Sequence, residues 1–143
     1  MNMSNRSSIP LPEIGHLLPT RKVQMSLAKA RLFSLPRESF HTHDHLAEKI
    51  GIPRAAPQGL MAYGYLSKLA TDFFGPSWAF DGELNVSFIN LLDREDELTT
   101  AGRVAAVEAA EKGHLVELEI WVDSNRGVRV AAGEAKGYVD AKE

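Results

Sequence analysis

The chain has 143 residues, 44% hydrophobic and 24% charged, the size and balance of one folded domain with one core. A formal net charge of −3 supplies no basic field for nucleic acid or an anionic lipid surface, so neither is expected as a partner. The absence of cysteine excludes disulfides, thiolate metal sites and a cysteine nucleophile, and it suits a reducing cytoplasm, the expected location.

In chain order, residues 1–10 read as a mobile polar tail and residues 11–143 as the single domain. No apolar run is long enough for a signal peptide or a membrane span. The stretch "IPLPEIGHLLPTRKV", with three prolines and a glycine, reads as an irregular arm on the surface. "VQMSLAKARLFSL" (Val23 to Leu35) fits a strand or a helix, and Pro36 ends it. Asp44 to Ile50 predicts a short helix stopped by Gly51, with Pro53 beyond.

The strongest element is Gln58 to Phe74, preceded by Pro57 and closed by Gly75-Pro76. From Leu60 to Leu66 no face is broken by a strongly polar residue, which predicts a helix enclosed by protein. After Gly82 the period becomes two. Leu84, Val86 and Phe88 alternate with polar residues, as do Val116, Leu118, Ile120 and Val122. Val128 to Val139 alternates a small-residue face (Ala131, Gly133, Ala135, Gly137) with a bulkier one. Glu97 to Ala110 is a further strand candidate, and "EKG" and "SNRG" read as hairpin turns. The expectation is a four-strand antiparallel meander curled around the one long helix, with an apolar outer patch that pairs two sheets in a dimer.

Three of the five histidines, His41, His43 and His45, stand at every second position in "HTHDHLAE". On an extended segment they point the same way and suit zinc, iron or copper. The stretch also fits His-x-His-x4-Glu, the first metal motif of cupin barrels, with Glu48 as the carboxylate. The glycine spacings of that motif are missing, His114 has no second-motif partners near it, and such a barrel has no place for a buried helix. No metal is therefore assigned.

The same residues resemble the MaoC-type hot-dog enoyl-CoA hydratases and dehydratases. That family carries Asp-x-Asn-Pro-x-His-x-Asp, with alanine six and glycine ten residues after the histidine. Here His41 is followed by Ala47 and Gly51 at those spacings, and Gly59-Leu60-Met61 opens the helix where the family has its Gly-Met/Leu. Ser67 falls where the family often places a serine. "GELNVSFINLLDREDELTTAGRV" is similar to the family's strand, turn and strand, and "PEIGHLLP" to its N-terminal arm. The resemblance spans about Pro12 to Val139. It implies an α+β hot-dog fold, an antiparallel sheet wrapped on one central helix, and a homodimer or a heteromer with another hot-dog chain. The departures lie in the motif: Pro36 replaces the family's catalytic aspartate, Glu38-Ser39 the Asn-Pro pair, and His43 the second aspartate.

The resemblance implies hydration of an enoyl thioester, or dehydration of a 3-hydroxyacyl one, on coenzyme A or an acyl carrier. No cofactor is needed beyond the coenzyme A that the substrate carries. Negative charge builds on the thioester oxygen, and a base must orient water. The Gly59 N–H at the helix N-terminus is the expected oxyanion donor, helped by Leu60. His41 is the expected acid and base, Glu38 the substitute for the missing aspartate, and Ser67 a holder of water or substrate. Gln58, Leu60 and Tyr63 complete the substrate-binding set. Trp78 and Trp121 line either an acyl pocket or a dimer contact. Arg94, Arg103, Arg126 and Arg129 read as solvated strand ends rather than partners of coenzyme A phosphates. A thioesterase on the same fold and a non-catalytic thioester-binding subunit stand as alternatives.

Overall fold

The computed structural model of the chain describes residues 10–111 and 113–140. The tail expected over residues 1–10 therefore lies, apart from Pro10, outside the described residues. In order the elements are β1 (Arg21–Gln24), α1 (Leu27–Ser34), α2 (Asp44–Glu48), α3 (Gly59–Phe74), α4 (Trp78–Asp81), β2 (Glu83–Phe88), β3 (Glu97–Ala109), β4 (His114–Ser124) and β5 (Arg129–Val139).

The ambiguous segment is both strand and helix. Its first residues extend β1, then the Ser26 side chain accepts the Lys29 N–H and caps α1. The proline-rich arm is more regular than its composition suggests. The Gly15 and Leu18 amides donate to the Val104 and Gly102 carbonyls, so the arm continues the line of β1 along β3. Helix α3 ends at Gly75, which takes φ +86°, a conformation open to glycine and costly for other residues.

All strands pair antiparallel in the order β1-β3-β4-β5-β2. This corrects the expected four-strand meander. The "SNRG" turn does join neighbours, β4 to β5, while "EKG" contains Lys112, outside the described residues, between the paired strands β3 and β4. The connection 89–96 is too long for a tight hairpin, and it carries the chain from β2, beside β5, across to β3.

Helix α3 lies on the inner face formed by Val116, Leu118, Ile120 and Val122, all fully buried. It meets β5 along the small-residue face. A Cβ on Gly137 would stand 2.8 Å from the rings of Phe74 and Trp78, so glycine there sets how near the helix can come. Trp78 belongs to this core: its ring stacks on Phe74 and its N–H donates to the Lys136 carbonyl at 3.2 Å. It is not among the residues lining the cleft beside Gly59.

Two expectations are overturned. Five strands cover one side of a rod, so α3 buries Met61, Ala62, Leu66, Leu69, Ala70 and Phe74 but leaves Leu60 (55% exposed), Tyr63 and Gly64 open. The outer face of the sheet is not apolar. It carries Arg103, Glu117, Glu119, Glu134 and Lys136 as cross-strand neighbours, and the Arg129 guanidinium covers Trp121 at 5.0 Å. One group of exposed apolar residues brings together Leu60 on α3, Phe88 at the end of β2, and Ile89 and Leu91 just after it.

The connection 89–96 is held by two arginine–aspartate clamps. Arg126 binds Asp96 through both carboxylate oxygens, at 2.6 and 3.0 Å, and also reaches the Leu91 carbonyl. Arg54 binds Asp93 at 2.6 Å. Burial pushes both carboxyls up, but the guanidinium partners and backbone amides outweigh it and hold them below the usual carboxylate range. Depressed pKa values stabilise the fold above the unfolded carboxylate pKa of about 3.9, and that contribution disappears as pH falls through the folded values. Asp96→Asn should cost about 3 kcal/mol, the low end for a broken buried pair because Arg126 is partly in water. Urea denaturation should show that loss near pH 7, and the gap between variant and parent should narrow in strong acid. A gap unchanged with pH would mean that the charge on Asp96 is not what holds the loop.

Candidate functional site

His41 stands in a turn that the local sequence builds. The Ser39 hydroxyl accepts the His41 N–H at 3.1 Å, and the Thr42 hydroxyl accepts the Ser39 N–H at 2.9 Å. Thr42 is fully buried, and its carbonyl takes the Arg31 side chain, which ties the turn to α1. The Ala56 N–H then donates to the Phe40 carbonyl, drawing the turn against the segment that leads into α3.

This docking orients the imidazole. His41 Nδ1 lies 2.9 Å from the Ala56 carbonyl oxygen. A carbonyl only accepts, so Nδ1 carries a proton, and in the neutral ring the lone pair is on Nε2. The Phe40 ring packs on the other side, 3.8 Å between centroids. The result is an imidazole fixed in orientation, with Nε2 on the side away from the Ala56 carbonyl.

The N-terminus of α3 faces the same space. His41, Gln58, Gly59 and Leu60 line one cleft of about 430 Å³, walled by Phe40, Pro57, Phe88, Ile89, Leu91 and Leu92 and completed by Asn90. The Gln58 side chain does not cap the helix. Its Nε2 donates instead to Ser34 on α1 at 2.7 Å. Among the described residues the Gly59 and Leu60 amides have no acceptor. Two free donors at the positive end of a sixteen-residue helix suit a developing negative charge. A Cβ on Gly59 would stand 3.1 Å from the Phe88 ring, so the bare glycine keeps the amide reachable beneath that ring.

The other expected site residues are placed elsewhere. Glu38 is exposed and lies 3.8 Å from His43 Nε2, and it is not among the cleft residues. Its carboxylate is placed beside His43 and not beside His41. Ser67 is eight residues beyond Gly59, roughly 12 Å along the helix axis. Its carbonyl accepts the Thr71 hydroxyl, and it does not line the cleft. Nor does Tyr63, which stands on the open side of α3.

The three histidines do not converge. His43 Nδ1 bonds the Thr42 hydroxyl at 2.8 Å, and His45 meets the His43 ring edge-on at 5.7 Å. Among the described residues no three His, Asp or Glu side chains are grouped to hold a metal ion. The four arginines are held by carboxylates: Arg94 by Asp44, Arg103 by Glu119, Arg126 by Asp96 and Arg129 by Asp123. No residue lining the cleft carries a carboxylate.

Sequence reasoning missed Ser39, Thr42, Ala56, Phe88 and Asn90. The Ser-x-x-Thr spacing around His41 is a readable turn signal. The placement of Asn90 had none, because it depends on the path of the connection 89–96. The protonation assignment is open to direct measurement. Nitrogen-15 NMR of the neutral His41 ring should find the ring proton on Nδ1. A dominant Nε2–H tautomer would contradict this orientation.

No family model and no curated protein matches the chain. Solved structures do. The chain is similar to a MaoC-like dehydratase from Rhodospirillum rubrum, with 18% identity, a TM-score of 0.76, and coverage of 92% of this chain and 94% of that one. It is similar to the (R)-hydratase from A. caviae involved in PHA biosynthesis, with 18% identity, a TM-score of 0.71, and coverage of 89% and 96%. It is also similar to a chain of the ChsH1-ChsH2 complex from Mycobacterium tuberculosis, with 17% identity, a TM-score of 0.72, and coverage of 89% and 98%. The central helix, the sheet that wraps it and these likenesses together establish that this chain has the hot-dog fold of the MaoC-like dehydratases and (R)-hydratases.

Proposed function

We propose that the cleft binds an acyl thioester, on coenzyme A or an acyl carrier, and catalyses the reversible addition of water to its 2-enoyl form. One observation carries this reading: a histidine with its Nε2 lone pair free and the two unpaired amides of Gly59 and Leu60 line the same apolar-walled cleft. The thioester oxygen accepts from the Gly59 N–H, helped by Leu60. His41 Nε2 takes a proton from water as the water oxygen bonds the β-carbon. The π pair moves to the α-carbon while charge builds on the thioester oxygen. The proton on Nε2 then passes to the α-carbon, so one water is added and the histidine is restored. Dehydration is the same path reversed. No cofactor enters beyond the carrier that the substrate brings.

The missing carboxylate separates this reading from the thioesterase one, which needs an acidic group to activate water against the carbonyl carbon. A second reading has its own support. With Pro36 at the family's aspartate position and Glu38 turned to His43, a non-catalytic thioester-binding subunit fits the same cleft. In either case β2 presents an open sheet edge, and Leu60, Phe88, Ile89 and Leu91 leave an apolar rim at the mouth. That arrangement supports assembly with a second hot-dog chain, a copy of this one or a related one. The described residues hold no helix long and apolar enough to cross a membrane; a cytoplasmic location is proposed from the cysteine-free composition.

Incubation with crotonyl-CoA and longer enoyl-CoAs tests the assignment. Enoyl absorbance should fall without release of free thiol. His41→Ala should lower kcat/KM by about a hundredfold or more with little change in Tm. Thiol release would transfer the protein to the thioesterases. Unchanged absorbance across the panel, with a second hot-dog chain recovered on purification, would leave the binding-subunit reading.

A further inference from the structure

The proposed chemistry leaves one requirement unmet. The oxygen that joins or leaves the β-carbon has to be held beside His41, and no cleft residue supplies a carboxylate. Besides His41, two residues that line the cleft have polar side chains, Gln58 and Asn90, the latter exposed at its rim. They occupy different places. Gln58 adjoins Gly59 in the chain, at the thioester-oxygen end. Asn90 stands on the segment from Phe88 to Leu92, the wall that lies against the helix tip through the Phe88 ring.

The orientation of the Asn90 amide is set by its surroundings. Nδ2 donates to the Arg129 carbonyl at 2.7 Å. An acceptor there fixes the nitrogen on that side and leaves the side-chain oxygen without a partner among the described residues. The backbone holds it from below. The Ile89 N–H donates to the Val130 carbonyl at 2.8 Å, and the Asn90 N–H reaches the same oxygen at 3.3 Å. The chain beyond is clamped by Arg126 and Arg54. A neutral acceptor on a braced wall is suited to an O–H donor. Against a free carboxylate ligand it would be indifferent or unfavourable.

Resting on the hydratase reading, we infer that Asn90 is a substrate-binding residue whose side-chain carbonyl accepts the hydroxyl of a 3-hydroxyacyl thioester, or the water that becomes it. It performs at this cleft the task of holding that oxygen, which a carboxylate at Pro36 or Glu38 does not perform here. The site thereby distinguishes 3-hydroxyacyl from saturated acyl thioesters through one hydrogen bond.

Binding measured without turnover tests this. Calorimetric titration should show the parent protein binding 3-hydroxybutyryl-CoA about five- to tenfold more tightly than butyryl-CoA, the worth of one hydrogen bond. Asn90→Leu should remove that preference, bringing the affinity for 3-hydroxybutyryl-CoA down to that for butyryl-CoA. Gln58→Leu should retain the preference. A preference that survives in Asn90→Leu, or that vanishes instead in Gln58→Leu, would overturn the assignment and leave the hydratase reading standing. Absence of any thioester binding by the parent would remove the hydratase reading, and the assignment with it.

Discussion

The small-residue face of β5 governs how close α3 comes to the sheet, and the geometry of the cleft follows from that approach. Gly137 admits the Phe74 and Trp78 rings, and Ala131 and Ala135 are fully buried beside it. At Gly133 a Cβ would collide with the Asn85 carbonyl of β2, so the same face draws β2 against β5. The C-terminal end of β2 then delivers Phe88 over Gly59 at the helix tip. Larger side chains along this face would lift the helix, move β2 outward and separate the cleft's walls.

Polar partners orient the chemical groups within this frame. The carbonyl of Ala56 puts a proton on His41 Nδ1, and Ser39 and Thr42 hold the turn on which the imidazole stands. Gln58 leaves the tip of α3 uncapped because its side chain goes to Ser34. Each interaction is ordinary and worth about 1 kcal/mol. Their joint effect is to present a proton acceptor and two free donors to one apolar space without a nearby fixed charge. A carbonyl oxygen that gains charge there has few competing partners, the condition under which amide donors act most strongly.

Much of the frame was legible in the sequence. Pro57 and Gly75-Pro76 bracket α3, the alternation around Leu118 and Ile120 marks a half-buried strand, and the glycine and alanine spacing in β5 announces a close packing partner. The resemblance implied that His41 stands near the helix N-terminus at Gly59, and the structure brings both to one cleft. What was not legible depends on tertiary path. Nothing local says that β2 pairs with β5 instead of β3, so an apolar patch was expected on the outer sheet face and the rim at Phe88 and Ile89 was not foreseen. Glu38 is near His41 in sequence, yet the turn at Ser39 points the neighbouring His43 toward it. Arg126 and Asp96 find each other across thirty positions, and no periodicity records that pairing. Asn90 reaches the cleft only because the clamped connection runs past it.

The central claim is that a polarised acyl carbonyl lies between the His41 ring and the tip of α3. Amide NMR during titration with a crotonyl-CoA analogue, in which a methylene replaces the thioester sulfur, tests it most directly. The account predicts downfield shifts at the Gly59 or Leu60 N–H together with a perturbed His41 ring. Shifts confined to the outer sheet face around Glu117 and Glu134, or none at saturating analogue, would contradict it.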